Sequence, residues 1–295
     1  MVNISIIWAL IILFILYPGI AHDGAETGAY LFINALLPYL LPYIILTQWL
    51  LKMPTSQKRE RKWKKYLKAY VLGSFGGFPV GAVTVTQMMK NGELTRKQSS
   101  LLLAACHAPG PMFIIGFIGT ELFNSTSAGW KLLIAIHLAN ILFFLITLLF
   151  LFTSNDSGPT DVKLEPAKKS MPLLDALKES SSVIVLVATT VIFFSSLGNV
   201  LTTVATSAFS FDMGITKTIT LAIFEMTSGV QSATDHFSSF FIYPYLIAAI
   251  VSLNGLSIHM QVFVIAKSAN ISIMPYIFGR MWSIALVPLL LYFIY

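Results

Sequence analysis

The sequence has little charge. Only 11% of its 295 residues are Asp, Glu, Lys or Arg, against about 25% in a soluble domain, and its mean hydropathy is +0.77. This deficit excludes an ordinary soluble protein and predicts an all-α polytopic membrane protein that has the lipid bilayer as its surroundings. The longest polar stretch, residues 154–180, is too short to build a core of its own.

Cysteine is almost absent. The single one, Cys106, excludes an intrachain disulfide and a cysteine-based zinc site. The sequence also has no phosphate-binding glycine loop, no Ser/His/Asp arrangement and no pair of acids at a defined spacing. We therefore expect that the protein is not an enzyme, has no catalytic residue and binds no metal or cofactor.

Basic residues are missing from the first 51 positions and then concentrate in one loop. Eight of the nineteen Lys and Arg lie between Lys52 and Lys68, with Glu60 as the one acid among them. Positively charged loops stay in the cytoplasm, so this loop and the N-terminus are predicted to be cytoplasmic. The net charge of +6 then reflects topology, and no nucleic-acid partner is expected. Binding of the loop to nucleic acid or to anionic lipid is the alternative.

Helix-breaking residues interrupt the apolar sequence twice in the first half, at Ser74–Gly81 (SFGGFPVG) and at Cys106–Pro111 (CHAPGP). In lipid, broken backbone persists where it is buried in protein or lines a cavity. Paired interruptions in the two halves of a chain point to the binding site of a transporter. A second pair follows at Glu225–Gln231 and Leu253–Gln261.

Residues 69–89 are predicted to form a re-entrant hairpin with its tip at Gly76–Gly81. A single crossing would place Lys90, Arg96 and Lys97 outside, whereas a hairpin keeps both basic ends in the cytoplasm. Each arm of about ten residues extends about 15 Å, which reaches the middle of the hydrocarbon core.

The same plan is predicted twice with opposite orientation, as an inverted repeat of a re-entrant hairpin plus a broken transmembrane helix, with scaffold helices around it. The N-terminal half, residues 1–153, contains two scaffold helices (4–20 and 31–51, joined outside by 22–30), hairpin 69–89, broken helix 98–123 and helix 130–153. Residues 154–180 are predicted to be a cytoplasmic linker. The C-terminal half, residues 181–295, contains helix 181–201, hairpin 215–243 with its tip at Thr227–Gly229, broken helix 244–269 interrupted at Asn254-Gly255, and a last helix 276–295.

Each break creates a helix N-terminus near the midplane, where free N–H groups and the positive end of the dipole suit an anion. Basic side chains are nearly absent from the predicted interior, so these N–H groups are expected to do most of the anion binding. Polar side chains near the breaks either bind the solute or serve local hydrogen bonding and helix packing. The predicted substrate-binding residues are Ser74, Gly76, Gly77, Gly81, His107, Gly110, Glu225, Thr227, Ser228, Gly229, Asn254, Ser257, His259 and Gln261.

Glu225 is the acid placed deepest in the predicted membrane. Intramembrane carboxylates are costly and usually functional, so we expect Glu225 to bind a coupling sodium ion or proton, or to accept a bond from the solute. A surface acid at a misplaced hairpin end is the alternative. His107 and His259 each lie in a break, where either proton coupling or a structural role is consistent with their chemistry.

Four motifs, in this order, resemble those of a known family: Gly77–Ala82 (GFPVGA), Cys106 with Gly110–Gly116 (GPMFIIG), Glu225–Gly229 (EMTSG) and Gly255–Gln261 (GLSIHMQ). The sequence is similar to the family of sporulation integral membrane proteins YlbJ, also called SpoVV. That family carries the nucleoside recognition Gate domain and is similar to concentrative nucleoside transporters. The sequence departs from the family pattern at His107–Pro109 and at Ser228.

The resemblance implies transport of a small organic anion, dipicolinic acid, during sporulation, by alternating access at the midplane broken helices. Two alternatives stay open: a transporter of nucleosides or other neutral solutes, and a non-transporting membrane scaffold of a sporulation complex. The implied location is the cell membrane, as a multi-pass protein, including the outer membrane of the forespore. The sequence does not decide whether copies of the chain form a homo-oligomer.

Overall fold

The computed structural model describes residues 4–53, 61–153, 171–209 and 212–295. Within these ranges the chain is almost entirely helical and contains no strand, which confirms the predicted all-α class. Five helices are long and apolar enough to cross a membrane, as expected for a multi-pass membrane protein. They are Pro18–Lys52, Thr126–Phe152, Pro172–Ala208, Tyr243–Lys267 and Met274–Ile294.

The first two helices differ from the prediction. Helix α1 (Ile4–Leu16) has 13 residues and no buried side chain, and it is shorter than the about 20 residues that span a bilayer. Helix α2 (Pro18–Leu31) continues through a π-helical turn at Phe32–Leu36 into α3 (Leu37–Lys52). The outer connection predicted at residues 22–30 is therefore helical, because Pro18 occupies the first turn, where its fixed φ favours helix initiation.

The first hairpin consists of α4 (Lys62–Gly76) and α5 (Val80–Lys90), which pack against each other. The chain breaks at residues 77–79, within the predicted tip. At the base of the hairpin, Lys68 Nζ lies 3.1 Å from Glu93 Oε2. This ion pair holds the start of α4 and the loop after α5 at the same end of the molecule.

The first broken helix follows directly. Helix α6 (Arg96–Ala105) begins at a capping box between Thr95 and Gln98, and residues 107–110 are not helical. The second part of the broken helix contains a π-helical stretch, Phe113–Leu122, and α7 (Thr126–Thr153) then runs back along the molecule.

The second half begins with α8 (Pro172–Phe209), which extends the predicted helix 181–201 at both ends. Residues 172–180 of the predicted linker are therefore helical, and residues 154–170 lie outside the described ranges. Helix α8 packs against α2, where Ser196 Oγ donates a hydrogen bond of 2.6 Å to the Ala21 carbonyl.

The second hairpin consists of α9 (Met213–Phe224) and α10 (Met226–Phe237). Its break lies at Glu225 and not at Thr227–Gly229 as predicted. The reason is local, because the Glu225 side chain caps α10 by accepting a hydrogen bond of 2.6 Å from the Ser228 backbone N–H. Such a cap starts the helix immediately after the acid.

The second broken helix consists of α11 (Tyr243–Leu253) and α12 (Gly255–Lys267), and α13 (Met274–Ile294) ends the chain. The interruption lies at the predicted Asn254-Gly255 pair, where φ is 74° at Asn254 and 63° at Gly255. Asparagine and glycine are the residues that adopt this left-handed conformation most readily.

The two hairpins open towards opposite ends of the molecule. One end, here called the basic end, holds the base of the first hairpin and the ion pair of Lys52 Nζ with Glu179 Oε1 at 2.6 Å. At the other end, beyond the second hairpin, Tyr243 Oη donates a long hydrogen bond of 3.5 Å to the Leu122 carbonyl. Each half thus contains a hairpin, a broken helix and a full-length helix, with the two hairpins in opposite orientation.

The loop between α5 and α6 is expected to face the cytoplasm, because the ion pair at its Glu93 holds it beside the basic start of α4. A cysteine at Asn91, in a Cys106→Ser background, should react with a membrane-impermeant maleimide only when the cytoplasmic face is accessible. The matched control is Ser127→Cys at the opposite end, which should react only from outside. Labelling of Asn91→Cys from the outer face would refute the predicted orientation.

Candidate functional site

Both hairpin tips and both broken helices meet at one central cavity. Its wall is mostly apolar and includes Phe78 of the first tip, Gly110 of the first break, Glu225 and Thr227 of the second tip, and Gln261 of α12. Its volume is about 20 Å³, which is room for about one water molecule. A larger solute therefore requires the surrounding helices to separate.

Each hairpin tip docks on the break of the helix that follows it. A Cβ atom at Gly81 would lie 2.2 Å from the Cys106 carbonyl oxygen, and one at Gly255 would lie 2.9 Å from the backbone nitrogen of Met226. Real Cβ atoms do not approach so closely, so backbone meets backbone at both contacts. This close packing buries the interrupted peptide groups, as a broken helix at membrane depth requires.

Glu225 is buried, with 1% of its surface exposed, so the alternative of a surface acid is wrong. Oε2 accepts the hydrogen bond from the Ser228 N–H, and Oε1 lies 3.5 Å from Ser257 Oγ. Ser228 Oγ in turn lies 3.0 Å from Ser195 Oγ on α8. The carboxylate therefore already occupies the N-terminus of α10, which corrects the expectation that these N–H groups are free for a solute anion.

Gln261 separates the central cavity from a larger opening at the basic end. Its Nε2 donates a hydrogen bond of 2.9 Å to Thr190 Oγ1 on α8. One turn further along both helices, an open vestibule of about 630 Å³ is lined by Leu186, Val264 and the ends of α3 and α5, including Lys90. The cavity and the vestibule are thus stacked along α8 and α12.

Three predicted site residues lie in a polar cluster around Tyr276 and not at the central cavity. His259 Nδ1 is 2.8 Å from Tyr276 Oη, and Asn254 Nδ2 donates to the same oxygen at 3.3 Å. The His107 ring packs 5.0 Å from the Tyr276 ring and 4.7 Å from Phe78. This Tyr276 cluster joins the first break to the second and to α13.

The remaining predicted residues shape the packing of the tips. Gly77 contacts Gly110. Gly229 packs so closely against Ala222 that a Cβ atom added at Gly229 would lie 2.5 Å from the Ala222 Cα. Ser74 is fully buried in α4, next to the Tyr70 side chain one turn earlier. The predicted residues that line the cavity are therefore Gly110, Glu225, Thr227 and Gln261. Ser228 and Ser257 contact the Glu225 carboxylate. The residues that serve the packing of the hairpins are Ser74, Gly76, Gly77, Gly81 and Gly229.

Arg280 is the residue that the sequence interpretation missed. Arg280 is only 4% exposed, and its guanidinium lies 5.7 Å from the centre of the Tyr276 ring. Arg280 is therefore an exception to the expectation that basic side chains are nearly absent from the interior. The sequence carries no signal for this burial, because a charge in the second turn of a helix is normally placed at the interface.

Comparison with known proteins finds one relevant relative. The chain is similar to a sporulation membrane protein. Over 313 aligned positions it is 19% identical to the sporulation integral membrane protein YlbJ of Bacillus subtilis (strain 168), and the match covers 90% of this chain and 75% of the relative. No family model matches the chain, and no solved structure matches it significantly. The relative is itself an integral membrane protein, in agreement with the five apolar helices of this chain that are long enough to cross a membrane.

Proposed function

We propose that the protein is a membrane transporter of a small organic anion, with dipicolinate as the first candidate solute. The observation that carries the proposal is the central cavity, where two oppositely oriented hairpin tips and two broken helices meet around Glu225, Thr227 and Gln261. Interrupted helices of this kind at the midplane are the hallmark of solute sites in secondary transporters. The four motifs that resemble the YlbJ family imply dipicolinate, and the similarity to the sporulation integral membrane protein YlbJ agrees with that resemblance.

Movement of the solute requires the cavity to open alternately to the two sides. The vestibule at the basic end reaches to one turn from the cavity, and the Gln261–Thr190 hydrogen bond lies between them. Separation of α12 from α8 at this bond would connect the two spaces. Movement of the hairpins against the long helices would then close this path and open the opposite one.

A coupling cation follows from the position of Glu225. A buried carboxylate repels a solute anion in the same cavity unless it is protonated or paired with a cation. The proposal therefore assigns to Glu225 the uptake of a proton or sodium ion that accompanies the solute. It involves no covalent chemistry and no catalytic residue.

Uptake into proteoliposomes tests the function. Purified protein should accumulate radiolabelled dipicolinate above protein-free liposomes under an imposed proton or sodium gradient, whereas uridine should not accumulate. Gln261→Leu should reduce the uptake rate about tenfold or more, a change of about 1.4 kcal/mol, because the cavity loses a hydrogen-bonding side chain.

The matched control for this variant is Gln231→Leu on α10, whose amide is bonded to Asp235 away from the cavity. Equal uptake by the two glutamine variants would contradict the role given to Gln261. Uptake of uridine alone would favour a neutral-solute transporter. Absence of any uptake under both gradients would favour a non-transporting scaffold.

A further inference from the structure

Arg280 has no balancing carboxylate among the residues that the structure describes. Arg280 takes part in none of the three ion pairs found among residues 4–53, 61–153, 171–209 and 212–295. The residue is nevertheless buried, with 4% of its surface exposed. A buried cation without an opposite charge is costly in any protein interior, and more so in a membrane. Such an arrangement is stable when the site receives an anion from outside the chain.

The guanidinium lines a small cavity of about 10 Å³ that also has Asn140, Ser252, Ser283 and Pro109 in its wall. Two donors there are unused in the described part of the chain, namely Arg280 Nε and Asn140 Nδ2. Both residues are more than nine-tenths buried. Ser252 and Ser283 already donate to the carbonyls of Ala248 and Gly279, so the unused hydrogens belong to Arg280 and Asn140.

This second cavity adjoins the central one. Pro109, in the first helix break, belongs to the wall of both. Proline has no N–H group. At Pro109 the backbone between the two cavities therefore donates no hydrogen bond to a neighbouring helix. A solute held in the widened central cavity would lie against Pro109, with Arg280 in the wall of the adjoining cavity.

We propose that Arg280 and Asn140 form an anion subsite that holds one carboxylate group of the transported solute. The guanidinium supplies charge and directed donors, and the Asn140 amide supplies a further hydrogen bond, which together suit the two oxygens of a carboxylate. The Tyr276 ring, at 5.7 Å from the guanidinium, fixes the position of the cation. This inference rests on the proposed function and deepens it by naming the group that recognises negative charge.

Asn140→Asp tests the subsite without removing the buried cation. The new carboxylate would pair with Arg280 and take the place of the solute carboxylate. We expect the affinity of purified protein for dipicolinate, measured by thermal shift and by equilibrium dialysis, to fall at least about tenfold. The melting temperature without ligand should not fall, because the pair compensates a buried charge.

Asn199→Asp on α8 is the matched control, since this half-buried amide bonds only to the Ser195 carbonyl of its own helix and lies away from the cavities. It should bind dipicolinate like the unmodified protein. Arg280→Lys should retain part of the affinity, and Arg280→Gln should lose it.

The outcomes separate the subsite from the function itself. If the unmodified protein binds no dipicolinate, the proposed function fails. If it binds dipicolinate and Asn140→Asp binds equally well, only the subsite is overturned. Chloride is the other possible occupant of the subsite, and its effect on the melting temperature is measured by titration in gluconate buffer. If Asn140→Asp abolishes this effect of chloride and leaves dipicolinate binding unchanged, the carboxylate assignment is also overturned.

Discussion

Replacement of Glu225 by glutamine is expected to leave a folded protein that no longer accumulates solute. The amide oxygen can still accept the hydrogen bond that Oε2 receives from Ser228, so the cap of α10 should lose no more than about 1 kcal/mol. The amide cannot take up a proton or pair with a sodium ion. Gradient-driven uptake of dipicolinate in proteoliposomes should therefore fall to the level of protein-free liposomes.

Exchange without a gradient distinguishes coupling from binding. A glutamine at this position imitates the neutral acid, so Glu225→Gln should still exchange labelled for unlabelled dipicolinate across the bilayer. Glu121→Gln is the matched control, because Glu121 is an exposed acid that lies 3.3 Å from Tyr39 Oη. Normal accumulation by Glu225→Gln would show that the carboxylate serves only as a helix cap.

Gly81→Ala is expected to have the largest effect on stability. Its Cβ would lie 2.2 Å from the Cys106 carbonyl oxygen and 3.4 Å from His107 Nδ1. A backbone carbonyl cannot rotate away as a flexible side chain does, so α5 would have to move off the first break. Overpacking in a well-packed core costs about 1–3 kcal/mol, and rigid backbone puts this site at the upper end or above.

Thermal unfolding in detergent, followed by tryptophan fluorescence, measures this effect. The matched control is Gly110→Ala in the adjoining break, where a Cβ would make an ordinary contact at 3.4 Å with Gly77 Cα. The control should unfold within a few degrees of the unmodified protein, whereas Gly81→Ala should unfold much earlier or fail to purify as a monodisperse species. Similar melting of the two variants would disprove the tight docking of tip on break.

The positions of three breaks could be predicted because each contains residues that disfavour a continuous α-helix. Pro79 and Pro109 cannot donate to a helix, and Asn254-Gly255 adopts the left-handed conformation. The break at Glu225 lies two residues before its predicted position, because a glutamate interrupts a helix only when its side chain turns back to cap the next one. That geometry depends on the packing of α8 and α12 around it.

The composition of the site was less predictable from sequence than the fold. Gln261 and Thr227 lie close to their breaks, and both reach the central cavity. Arg280 lies in an uninterrupted helix, and its burial depends on how α13 packs against α6, α7 and α11. A charge near a helix end is normally placed at the interface, so only the tertiary arrangement shows that this one faces the interior.

The docking of the first hairpin sets an order for biosynthesis. Helix α5 packs against α12, which leaves the ribosome only after the whole of α8 has been made. Until then the tip at residues 77–79 has interrupted backbone at membrane depth without its final cover, a situation that lipid tolerates poorly. The first half therefore gains its complete core only after the second half has been inserted beside it.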